Sequence, residues 1–202
     1  DPAYVHHFHD KIDFNHRFDR FLGREWMELT AGNADDLQAF AQRHPVFIAK
    51  VPVSKSGAGV RRYTAADVSD WEAFHADLVA KGEVLIEERI IQHPDLEAIA
   101  PGTANTTRVT TFVKDDGTVA IINMAQKFGR GQVSDQASFG GFYTALHEDG
   151  RAMGMGYSVD GHLFETHPDT GRRIADYRVP MMDEVRALIG RASCRERVCS
   201  TV

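Results

Sequence analysis

The chain has 202 residues, 43% hydrophobic and 26% charged, with a formal net charge of -6. That is enough apolar material for a buried core in one large or two small domains, and the acidic balance excludes a general nucleic-acid binder, which presents a basic face. No apolar run approaches the roughly 20 residues that span a bilayer and no secretory signal opens the chain, so a cytoplasmic protein without a membrane span is the default expectation.

The opening decapeptide, DPAYVHHFHD, lacks an initiator Met, so we expect the chain to begin inside a longer reading frame. The spacing of Ile12, Phe14, Phe18, Phe21 and Leu22 predicts an amphipathic helix near residues 10–22, ended by Gly23. His6, His7, His9 and His16 lack a regular i, i+4 pair or a well-placed carboxylate. They read as surface and helix-face histidines rather than a metal site. Asn33 is expected to cap a second helix over 34–43, stopped at His44-Pro45.

The stretch with most chemistry follows, FIAKVPVSKSGAGVRRY from Phe47 to Tyr63. An apolar β-prone run ends in Lys50, a small-residue loop carries Lys55, Gly57 and Gly59, and Val60 restarts a strand. Glycine lets backbone N–H groups approach oxygens closely and adopt positive φ, and the lysines supply point charges for phosphates. This can be a flap over a polyphosphate or a plain hairpin with a Ser/Gly turn. Neither the P-loop nor the dinucleotide fingerprint is present.

A third helix is predicted from Ala65 to Lys81, with Val68, Trp71, Phe74, Leu78 and Val79 as its stripe and Gly82 as its end. Val84-Leu85-Ile86 reads as a buried strand emerging into Glu87-Glu88-Arg89-Ile90. Here a carboxylate can accept from a ribose hydroxyl and the backbone near Ile90 can meet an adenine edge; an exposed strand end explains the same glutamates. A short helix over 95–100 precedes a β-branched strand, residues 104–113. On it, alternation puts Arg108 inward, facing either a carboxylate such as Glu87 or Glu88 or a substrate phosphate. Asp116-Gly117 is a hairpin turn. A second small-residue loop, KFGRGQVSDQASFGG, places Asp135 ahead of Gly140-Gly141, and a β meander leads to a helix after Pro180.

Together these segments resemble an ATP-grasp domain, of the subgroup associated with sugar transfer and related to α-L-glutamate ligases. The motifs that carry the resemblance, in order, are FIAKVPVSKSGAGV, VLIEERIIQHPDL, NTTRVTTF, SDQASFGG and HPDTG. It implies an α+β fold of two lobes with antiparallel sheets and ATP between them. It further implies that Lys50 touches the α- or β-phosphate, that Lys55, Gly57 and Gly59 belong to the flap, and that Glu87, Glu88 and Ile90 bind ribose and adenine. Arg108 would stabilise the transferring phosphate, and Asp135 with its glycine pair would face the acceptor, although Gln136 stands where the family often has Asn. The implied reaction is carboxylate–amine ligation through an acyl-phosphate, with ATP and Mg²⁺ and a carboxylate-bearing small molecule or sugar acceptor as partners, associated with cell-surface polysaccharide biosynthesis. A non-catalytic nucleotide- or glycan-binding module and a sugar phosphotransferase are the alternatives.

The family usually holds Mg²⁺ with an acid and a Glu-x-Asn on late strands, and nothing of that kind follows Pro180. Ile189 to Val198 also back-translates to a widely used short-read sequencing adapter. We therefore expect an N-terminal helical segment over 1–33 and a C-terminally incomplete, inactive ATP-grasp domain over 34–188. Its flap lobe would be 34–91 and its second lobe 92–188, and 189–202 would be an adapter-derived tail holding both cysteines, Cys194 and Cys199.

Overall fold

The computed structural model describes residues 7–54 and 59–196, with side chains up to residue 189. Lys55 and Gly57 lie outside the described residues. The chain forms two compact units, Asp1–Ile91 and Gln92–Val202.

In the first unit, helix α1 spans Lys11–Leu22. Asp10 caps it by accepting from Ile12 N at 2.7 Å and Asp13 N at 3.3 Å, and Gly23 ends it with φ +62°. Then come β1 (Trp26–Glu28), α2 (Ala34–Arg43), β2 (Val46–Lys50), β3 (Val60–Thr64), α3 (Trp71–Lys81) and β4 (Leu85–Glu88). The sheet is antiparallel in the order β1-β4-β2-β3. Strand alternation sends Phe47 and Ala49 of β2 and Ile86 of β4 to one face, where they are fully buried with Leu37 and Phe40 of α2 and Leu78 of α3. Ile48, Lys50, Leu85 and Glu87 occupy the other face. There Asn15 of α1 reaches Glu87, so α1 covers part of that face. On the edge strand, Tyr63 and Arg61 both reach the buried Glu83 carboxylate, at 2.7 and 2.8 Å. Burial, then the bond to Glu83, pushes the Tyr63 phenol up to about 12.

Three expectations change here. The N-terminal stretch is not purely helical, because β1 joins the sheet by pairing with β4. The third helix begins at Trp71: Val68 is extended, and Asp70 caps by accepting from Ala73 N at 3.0 Å. Asn33 precedes α2, but its side chain makes no cap bond. It accepts instead from Thr30 N and is hydrogen-bonded to His75.

The second unit contains α4 (Pro94–Ile99), β5 (Thr107–Val113), β6 (Val119–Phe128), β7 (Phe142–Leu146), β8 (Gly156–Tyr157), β9 (Leu163–Phe164) and α5 (Met182–Glu196). The strands form an antiparallel meander in sequence order, with a bulge at Thr110/Thr111. Its inner face, with Val109, Met124, Phe128, Phe142 and Leu146, packs with Leu96 and Ile99 of α4 and Met182 of α5. Two buried polar groups join this core with their bonds satisfied. Gln126 accepts from Thr107 Oγ1 and Tyr177 OH, and His167 is hydrogen-bonded to the Gly129 carbonyl. Helix α5 continues through residue 189, where the tail was expected to begin. No described helix is long and apolar enough to cross a membrane.

Candidate functional site

The first unit gathers charge where β2 runs into the small-residue loop. Lys50 is the last residue of β2, and its ammonium contacts the Glu87 carboxylate. Glu87 is 3% exposed and is also held by two residues that sequence reasoning did not single out. Arg24 donates through Nε to Oε2 at 3.1 Å and through Nη2 to Oε1 at 3.0 Å, and Asn15 donates to Oε1 at 2.9 Å. Burial alone would raise the Glu87 pKa. The Lys50 charge and the Arg24 bonds outweigh it and hold the group down at about 2. Glu87, expected at a ribose, thus has both oxygens engaged inside the protein.

The neck of the loop is built next to this cluster. Val51 N donates to the Gly59 carbonyl at 2.8 Å. Gly59 has φ +68°, and a Cβ there would lie 2.6 Å from Val51 Cγ2, so both conformation and space require glycine. Lys11 of α1 gathers the other stem. Its Nζ donates to the carbonyls of Val51, Pro52 and Ser54 and to Ser54 Oγ, all within 3.2 Å. Burial and then the Lys50 charge lower the Lys11 pKa. Beyond Glu87, the Glu88 carboxylate accepts from Glu25 N at 3.0 Å, and Ile90 is 53% exposed.

The second unit carries its own cluster. Asp135 is 3% exposed; it accepts from Thr106 N at 2.8 Å and Thr106 Oγ1 at 2.6 Å, and from Lys127 Nζ at 2.7 Å. Gly141 closes the turn beside it, where a Cβ would lie 2.3 Å from the Asp135 carbonyl oxygen. Arg108 is not inward. Val109 and Thr111 take the buried positions of β5, so Arg108 falls on the exposed face and forms no ion pair among the described residues. Register puts Lys127 on that same face, because Arg108 pairs with Ala125, two residues away. Lys127 was missed, although it stands in the small-residue motif and one alternation step from the partner of Arg108.

A family model described as sugar-transfer associated ATP-grasp matches residues 69–200, about two thirds of the chain. The chain belongs to this ATP-grasp family. The α+β architecture, with two antiparallel sheets in two units, is that expected of it. Among solved structures the chain is similar to D-alanyl-alanine synthetase A from Vibrio cholerae, with 8% identity and a TM-score of 0.41 over 93% of this chain and 64% of that one. The chain therefore spans less than two thirds of that protein's length. The comparison with curated proteins gives no match. The Lys50 and Arg24 cluster, apart from Glu87, lies N-terminal to the matched residues. Among the described residues no group of three or more His, Cys, Asp or Glu is placed to hold a metal ion.

Proposed function

We propose that this ATP-grasp chain binds ATP and supplies the nucleotide-binding part of an ATP-dependent carboxylate–amine ligase, glutamate-ligase-like, acting on a cell-surface polysaccharide or its precursor. The observation that carries the reading is the excess of cation at the loop neck. Three cations, Arg24, Lys50 and Lys11, face two carboxylates. The buried Glu87 is held by Arg24 and Lys50, and Asp10 acts on Lys11 only through its charge, while the hydrogen-bond partners of Lys11 are neutral oxygens. A polyphosphate is the ligand that such an excess, set at the base of a Gly-rich loop, is suited to take.

In this reading Lys50 binds the α- or β-phosphate, and Lys55, Gly57 and Gly59 form the flap. Glu88 and the backbone near Ile90 meet ribose and adenine, and Glu87 acts by holding Lys50. Arg108, on the exposed face of β5, neutralises the transferring phosphate, and Asp135, paired with Lys127, orders the acceptor loop. A substrate carboxylate oxygen attacks the γ-phosphorus and ADP leaves. An amine nitrogen then attacks the acyl carbon, phosphate leaves and the nitrogen loses its proton. The protein's part is positioning and charge neutralisation.

Isothermal titration of ATP into the chain and into Lys50→Ala tests the nucleotide reading. The variant should lose at least about tenfold in affinity, which is ~1.4 kcal/mol. Equal affinity would overturn it. Detection of an amide product, rather than a phosphorylated sugar, in a longer form of the protein separates ligation from phosphotransfer.

A further inference from the structure

Arg24 and Lys50 do not hold Glu87 in the same way. Arg24 makes a two-pronged contact, Nε to Oε2 and Nη2 to Oε1, and Asn15 adds a third bond. Lys50 contributes a single contact to Oε2 from a flexible four-carbon stem. If Lys50 leaves, Glu87 still has a planar guanidinium on both oxygens and an amide on one, so no buried charge is stranded. If Arg24 were absent, Lys50 would be the only cation hydrogen-bonded to a carboxylate that is 3% exposed, and leaving it would be costly.

We infer that Arg24 is a positioning residue: as the permanent partner of Glu87, it makes Lys50 exchangeable between Glu87 and an incoming phosphate. The inference rests on the nucleotide reading above for the identity of the phosphate, though not for the exchange itself. The charged groups near Glu87 bear it out. From the strand connection comes Arg24, from β2 Lys50, and from α1 Lys11, whose ammonium is already committed to Val51, Pro52 and Ser54 and which therefore does not replace either. Arg24 follows the Gly23 cap of α1 directly, so the left-handed turn that ends the helix also delivers the guanidinium to the sheet.

Two measurements on the same variants test this. Amine acetylation of Lys50, read by peptide mass spectrometry, reports how firmly Lys50 is held and needs no nucleotide. ATP titration reports the consequence for binding. Arg24→Met should lower Lys50 acetylation several-fold and weaken ATP binding by about tenfold. Arg24→Lys, which keeps the charge but loses the fork, should fall between it and the parent chain, and it stands in should Arg24→Met fail to fold by circular dichroism. Arg24→Met/Glu87→Gln removes the trap for Lys50 and should restore both acetylation and ATP affinity to within about threefold of the parent. A merely structural Arg24 would show no such rescue. Unchanged Lys50 acetylation in Arg24→Met, or a double variant no better than the single one, would overturn the assignment. If the parent chain does not bind ATP while the acetylation pattern holds, the nucleotide reading falls and the role of Arg24 stands.

Discussion

Lys127 Nζ lies 2.7 Å from Asp135 Oδ1, and the other oxygen of Asp135 is taken by the backbone and hydroxyl of Thr106. The carboxylate thereby ties β6 and the segment leading into β5 to the loop that runs into Gly140-Gly141. Removing its charge while keeping its shape should weaken that tie. Asp135→Asn is expected to lower the unfolding free energy of the second unit by about 2 kcal/mol, the size of a hydrogen bond to a charged group. Urea unfolding of the variant against the parent chain measures it, and Lys127→Met should cost less once Asp135 is already Asn, since the two share one interaction.

Gly59 closes the loop neck in a left-handed conformation against Val51. Gly59→Ala should therefore cost about 1–3 kcal/mol, part from strain at φ +68° and part from the clash with Val51. Val51→Ala in the same chain should relieve the steric part and leave the conformational part. Thermal unfolding of the two single variants and the double variant separates them.

Glu87 sets a pH dependence whose sign is fixed by its depressed pKa. Its folded value of about 2 lies below the ordinary 4.5, so its contribution is fully present above about pH 4.5 and is lost as pH falls toward 2. The loss is on the order of 3 kcal/mol across that window. Urea midpoints measured from pH 6 down to pH 2.5 should fall more steeply for the parent chain than for Glu87→Gln, in which this group no longer titrates. Parallel curves would show that the pairing of Glu87 with Lys50 and Arg24 does not contribute in solution.

The start of α3 is a further checkable point. Asp70 accepts from Ala73 N at 3.0 Å, whereas Thr64, where the helix was expected to start, makes no side-chain cap. Asp70→Ala should cost about 1 kcal/mol and Thr64→Val much less in the same denaturation assay.

Much of the chain was legible because its signals are local. Gly23 and Gly82 both take the left-handed conformation at helix ends, Asp116-Gly117 turns the β5–β6 hairpin, and Val46–Lys50 and Val60–Thr64 form the strands on either side of the small-residue segment. Local signals misled where two elements compete for one stretch. Val68 fits the stripe of a helix begun at Ala65, yet Asp70 offers a better cap, and the helix starts after it. Arg108 was placed inward on alternation alone. Which face of β5 is inner is decided by what packs on it, here Val109 and Thr111 with the helices behind.

The sequence by itself determined most element types, β1 excepted, and the order of motifs that carries the ATP-grasp resemblance, because each depends on residues a few positions apart. Only the tertiary structure decided who holds Glu87. Asn15 and Arg24 lie 72 and 63 positions from it along the chain. Their meeting depends on β4 entering the sheet between β1 and β2 while α1 crosses the opposite face. A long-range charge cluster of this kind leaves no periodicity in the sequence. Its members are ordinary polar residues until strand order and burial bring them to one low-dielectric point.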